Sequence, residues 1–180
     1  MAVLIEAISV VIRINVLFEK YPGGWNAFKK IVPNNTLCSD NELARVGFMA
    51  PQDVSAFVGD LQQSGLVFLH SEKAVDLAVV DQLRGPTTPC DWLEFGHISM
   101  GPGQQVAVCR LAGSQSMQIF TPDGWEYEGS LSASQSFVSN ENVNKDLKFL
   151  RTENGVDVYL NKTTGKEVYI GRTRGGSRQG

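Results

Sequence analysis

From Ala2 to Ile12 the chain is apolar and rich in Val and Ile, with Glu6 interrupting it. β-Branched side chains at this density fit a pleated strand, and a near-continuous apolar run marks a strand covered on both faces. The run is therefore expected to be one central strand with a layer on either side. It falls well short of the ~20 apolar residues that cross a bilayer, as does every other stretch. It has neither a basic leader nor a small-residue cleavage pattern, so no secretory signal is expected.

Helical signals fall in the first third of the chain. Ile14 to Lys20 begins a helix that Tyr21-Pro22-Gly23-Gly24 breaks, and Trp25 to Ile31 resumes it with Phe28 and Ile31 three apart on one face. Val32 to Asn35 is a turn, and Glu42 to Met49 a strand. The clearest helix runs from Pro51 to Ser64. Pro51 suits the first helical position, and Asp53 favours the dipole in the first turn. Val54, Phe57, Val58 and Leu61 form one apolar stripe, and Gly65 is the stop.

Beyond this helix the pattern is β. Leu66 to Leu69 is expected to pair with Ala74 to Val80 as a hairpin. Trp92 to Ser99, Gln105 to Leu111, Met117 to Phe120 and Trp125 to Leu131 are short strands separated by Gly- and Pro-containing turns. After a polar boundary at 130–144, Leu147 to Arg151 and Val156 to Leu160 flank Asn154-Gly155, a hairpin signal. Helical units followed by antiparallel strands predict an α+β fold. It would have a mainly antiparallel sheet and two or three helices of the N-terminal half packed on one face. At 180 residues the chain is sized for one domain, expected over 1–171, with a flexible basic tail over 172–180.

The net charge is −3, which gives no general attraction to nucleic acid or an anionic membrane. Between Asn161 and Gly180, Lys162, Lys166, Arg172, Arg174 and Arg178 stand against Glu167 alone. Three widely spaced cysteines (Cys38, Cys90, Cys109) and two histidines (His70, His97) complete neither a zinc site nor a disulfide framework. No metal and no cofactor are expected, and a reducing cytoplasm fits the cysteine usage.

Chemically capable residues concentrate between Arg84 and His97. A cysteine nucleophile needs a base to become thiolate, so Cys90 with His97 is the catalytic candidate. Strand alternation, however, puts His97 with Leu93 and Phe95 as a core or rim residue. Trp92 and Glu94 would share the other face and, with Trp125, contact a ligand or partner. Cys38 is a second thiol candidate and Cys109 a core residue. Glu126 and Glu128 read as a solvated strand face, and Gly101-Pro102-Gly103 as a turn, since it lacks the helix a phosphate loop needs.

Near the C-terminus, the segment from Gly155 to Thr173 resembles the opening hairpin of GIY-YIG nucleases. Tyr159 and Tyr169 have suitable spacing, and Tyr169-Ile170-Gly171 matches literally. The resemblance implies a following helix with an arginine and, further on, a metal-binding glutamate. After Thr173 the chain is Gly-rich, which does not make a helix, and it has no acidic residue to hold a metal. This reads as convergence on a hairpin sequence, with a degenerate nuclease fragment as the alternative. Separately, Tyr21 to Trp25, Leu43 to Met49 and Gly85 to Phe95 look like segments of small uncharacterised bacterial proteins of the mobile (integron) gene-cassette type. That resemblance implies a bacterial cytoplasmic origin and transfers no functional residue.

The expectation is thus a non-enzymatic domain that binds a small molecule or another protein, with a small cysteine-dependent hydrolase or transferase as the rival. Nucleic acid and membrane are not expected partners, and self-association is left open.

Overall fold

The protein is described here by a computed structural model covering residues 1–115, 118–133, 136–139, 147–153, 156–162 and 165–171. The expected tail over 172–180 and the Asn154-Gly155 turn lie outside these residues. The N-terminal part contains β1 (Ala2–Ile5), β2 (Ile8–Arg13), α1 (Ile14–Glu19), α2 (Gly24–Ile31), β3 (Cys38–Ser39), β4 (Leu43–Phe48) and α3 (Pro51–Gln63). There follow β5 (Leu69–His70), β6 (Lys73–Ala74), β7 (Leu77–Asp81), β8 (Gly85–Pro86), β9 (Leu93–Gly101), β10 (Gln104–Leu111) and β11 (Ile119–Phe120). The last strands are β12 (Ser136–Ser139), β13 (Leu147–Glu153), β14 (Val156–Asn161) and β15 (Glu167–Gly171). The fold is α+β and mostly antiparallel.

Strand alternation assembles the layers. A five-stranded antiparallel sheet has the order β3-β4-β2-β7-β8. Ile8, Val10, Ile12, Ala44, Val46, Phe48 and Leu77 on one face meet the helices through Leu17, Phe28, Val54, Phe57, Val58 and Leu61. The stripe read on α3 is thus the one that packs, and all four of its members are buried. The Phe57 ring lies 6.4 Å from that of Phe28 and 5.3 Å from that of Phe48. The shared face expected on α2 is only half filled, because Phe28 is fully buried while Ile31 is exposed.

The other face of this sheet, through Val11, Leu43, Ala78 and Val80, packs against Val3, Ile5, Leu93, Ala107 and Cys109 of a second sheet. That sheet has the order β11-β1-β10-β9, with β11 parallel to β1. Its outer face, Ala2, Leu4, Val106, Val108 and Ile119, is covered by Trp125 and Tyr127. A third sheet, β12-β15-β14-β13, joins the molecule where Tyr169 packs on the helix-side core. Its register pairs Tyr169 with Val158 and Tyr159 with Val168, so the two tyrosines of the nuclease-like hairpin lie on opposite faces of the sheet.

Three sequence expectations are corrected. The run from Ala2 to Ile12 is two strands in two different sheets. The chain breaks at Glu6-Ala7, where Ala7 takes the left-handed conformation (φ 52°). That conformation is costly for a residue with a Cβ, and Gln82 holds it. The Ala7 N–H donates to Gln82 Oε1 and the Gln82 N–H donates to the Ala7 carbonyl, both at 2.9 Å. Second, the expected hairpin of Leu66 to Leu69 with Ala74 to Val80 forms only in part. Leu69 pairs with Ala74, and the Val75 N–H donates to the Phe68 carbonyl at 2.8 Å and the Asp76 N–H to the Val67 carbonyl at 2.9 Å, while Leu77 to Val80 belongs to another sheet. Its regular ladder is Leu69–His70 with Lys73–Ala74, around Ser71 and Glu72 with φ of 50° and 66°. Strand β7 instead pairs with β2, where its apolar side chains are buried on both faces. Third, Trp125 to Leu131 is a series of turns. The Trp125 N–H donates to the Pro122 carbonyl and the Ser130 N–H to the Tyr127 carbonyl, with Gly124 and Gly129 at positive φ. Glu126 and Glu128 are exposed there on a loop.

Candidate functional site

An open cleft of about 440 Å³ lies where the chain passes from the second sheet to the first. Its floor is Glu6, Ala7, Arg45 and Gly47. One wall is the Asn34 to Thr36 turn, and a second is Phe48, Met49 and Asp53 at the end of β4 and the start of α3. Pro122 to Trp125 and Leu131, from the segment covering the second sheet, close the third side.

The floor is built from two buried charged residues, Glu6 at the break between β1 and β2 and Arg45 within β4. Arg45 is only 2% exposed. It follows Ala44 on β4 and so faces the gap between sheets, beside Ser9 of β2. Its Nε donates to Ser9 Oγ at 3.0 Å, Nη1 to the Thr36 carbonyl at 3.1 Å and Nη2 to the Glu6 carbonyl at 3.2 Å. Burial pulls this guanidinium below its ordinary range, while Cys38 and Glu6 act in the opposite sense. The Cys38 thiol is itself pushed up by burial, against the pull of Arg45. A thiol raised in this way stays neutral at pH 7, which leaves Glu6 as the compensating charge.

The guanidinium fits because residue 47 is glycine. A Cβ there would stand 2.9 Å from Arg45 Cζ and closer still to Nη2. Nearby, the Gly47 N–H donates to Thr36 Oγ1 at 2.7 Å and the Gly47 carbonyl accepts Asn34 Nδ2 at 2.8 Å. These bonds lock the Asn34 to Thr36 wall onto β4.

The Glu6 carboxylate ties the far wall to the floor. Oε1 accepts the Trp125 indole N–H at 2.9 Å. Oε2 accepts the Ser132 backbone N–H at 2.8 Å and its hydroxyl at 2.7 Å. Such a density of donors satisfies both oxygens of a carboxylate taken out of water. By contrast, the side chains of Asn35, Asp53 and Asp123 have no hydrogen-bond or ion-pair partner among the described residues, and all three are exposed at the cleft.

The residues singled out in the sequence are dispersed. Of the three contact candidates, Trp125 lines the cleft and Trp92 and Glu94 do not. Trp92 is half-buried against the inter-sheet core, donating from Nε1 to the Ala74 carbonyl at 3.1 Å, with Arg13 over its ring at 5.6 Å. Glu94 points to solvent and pairs with Arg110 at 2.6 Å, which draws its carboxyl below the usual range.

Cys90 and His97 share no hydrogen bond among the described residues. The Cys90 thiol is pushed up by burial, opposed by the Trp92 and Leu93 backbone N–H groups. His97 Nε2 lies 3.0 Å from the Gln82 carbonyl, and its ring meets Phe95 edge-on at 5.1 Å. Cys109 is fully buried, and its thiol is pushed far up by desolvation. Among the described residues no cluster of three or more His, Cys, Asp or Glu side chains is arranged to hold a metal ion.

Sequence reasoning missed Glu6 and Arg45 as the floor of a site. The signal was present: each is the one charged residue inside an apolar segment, and such residues are buried only when partnered. The uncommitted rim residues carried no comparable signal. No family model, no curated protein and no solved structure matches this chain.

Proposed function

We propose that this chain is a small-ligand-binding domain and that the cleft between Asn34–Thr36, Asp53 and Trp125 is its binding site. The carrying observation is the division of polar groups in the cleft. Arg45, Glu6, Asn34 and Thr36 are spent on holding the walls together, whereas Asn35, Asp53 and Asp123 are left for a guest. A rigid concavity of a few hundred Å³ with aromatic and aliphatic walls and a few free polar groups is the usual form of a small-molecule site. None of the lining residues is a cysteine or a histidine, and the three thiols are all raised by burial. Both facts favour binding over the thiol-dependent hydrolase or transferase.

The test is a metabolite-mixture titration of ¹⁵N-labelled protein. The Trp125 indole N–H is expected to shift saturably while the indole signals of Trp25 and Trp92 stay in place. Mixtures that leave Trp125 unmoved, or that move Trp92 alone, would reject the cleft as the site.

A further inference from the structure

We infer that the guest of this cleft is a small organic cation carrying an apolar stem, an alkylammonium or guanidinium compound, an assignment that rests on the cleft being the binding site. The argument is a count of which charges a guest would meet. Among the described residues the one cationic side chain lining the cleft is Arg45, and its Nε, Nη1 and Nη2 are each already donating within the protein. Glu6, behind it, has both carboxylate oxygens occupied by Trp125 and Ser132. These two groups therefore offset one another as part of the frame.

What the cleft offers an incoming molecule is two carboxylates without a partner among the described residues, Asp53 on α3 and Asp123 on another wall, and the Asn35 amide, which also lines it. An anion would be brought up to two like charges with one amide to receive it, which is unfavourable. A cation is attracted by both carboxylates and has the Trp125 indole as a further partner. That ring is fixed in place through its Nε1–H bond to Glu6 and its packing on the second sheet. Phe48, Met49 and Leu131 supply the apolar surface for a stem.

The experiment compares three probes with the same four-carbon stem: n-butylammonium, 1-butanol and pentanoate. Each is titrated at constant ionic strength into ¹⁵N-labelled full-length protein, with the Trp125 indole signal as readout. Butylammonium is expected to bind at least about tenfold more tightly than the alcohol or the acid. The Asp53→Asn/Asp123→Asn double variant should abolish that preference. Both residues are exposed, so its amide spectrum should otherwise match the parent, with a slightly lower melting temperature because Asp53 no longer offsets the dipole in the first turn of α3.

Glu126→Gln/Glu128→Gln changes the net charge equally on exposed residues outside the cleft, and it should keep the preference. Equal or tighter binding of pentanoate, or a preference that survives in the double Asn variant, would overturn the cation assignment and leave the cleft standing. Failure of all three probes to move Trp125 would overturn both.

Discussion

The indole Nε1–H of Trp125 donates to Oε1 of Glu6 at 2.9 Å, across 119 residues of sequence. The same carboxylate takes two donors from Ser132. One side chain thus fastens the segment that covers the second sheet to the point where the chain crosses between sheets. The cleft exists because that segment is held there.

Replacing Glu6 with Ala leaves the Trp125 and Ser132 donors without their acceptor. Losing hydrogen bonds to a buried charge should cost on the order of 3 kcal/mol. Amide exchange at Ser132 and at the Trp125 indole should accelerate to near the unprotected rate, while Val106 and Val108 in β10 remain protected. If exchange at Ser132 is unchanged, the carboxylate is not what holds the wall.

Gly47→Ala should destabilise the protein by about 1–3 kcal/mol, the range for forcing a methyl into a packed site. The expected cause is specific: the new Cβ displaces the Arg45 guanidinium. A cycle with Arg45→Met should therefore show coupling above about 0.5 kcal/mol, because the methyl clashes with little once the guanidinium is gone. Strict additivity in urea unfolding would place the guanidinium elsewhere.

The thiols give a pH dependence with a definite sign. Burial raises Cys38, Cys90 and Cys109 in the native state, whereas an unfolded thiol ionises near pH ~8.5. Below that pH the thiols are neutral in both states and their contribution is complete. Above it the unfolded chain loses protons that the native protein keeps, so stability falls as pH rises. Unfolding measured from pH 7 to 10 should decline at the alkaline end, and less steeply in Cys109→Ala. Iodoacetamide should label the native protein slowly at pH 7, half-buried Cys90 first. Rapid labelling of any one thiol at pH 6 would contradict its burial and favour the thiol enzyme.

Local pattern carried much of the fold. Helix α3 was legible from Pro51, Asp53 and its four-residue stripe, because helical periodicity, capping position and packing all agree there. Strands β9 and β10 were legible as alternating segments separated by a turn. Trp125 was named as a contact residue from its type and its place after a turn. Trp92 was named on the same grounds, and Glu94 because strand alternation puts it on one face with Trp92; both lie elsewhere, since neither residue type nor alternation says which neighbours a segment will meet.

What the sequence determined by itself was the α+β class, the helical stripe on α3, the burial of both halves of the opening apolar run and the core position of Cys109. These follow from short-range periodicity and hydrophobicity, which a linear pattern records. The tertiary structure alone decided that the opening run divides between two sheets, that Arg45 lies over Gly47, and that Trp125 and Ser132 reach back to Glu6. Each depends on contacts between residues distant in the chain. The energy that buries Glu6 and Arg45 comes from donors and acceptors on four separate segments, so no local reading of either residue could have contained it.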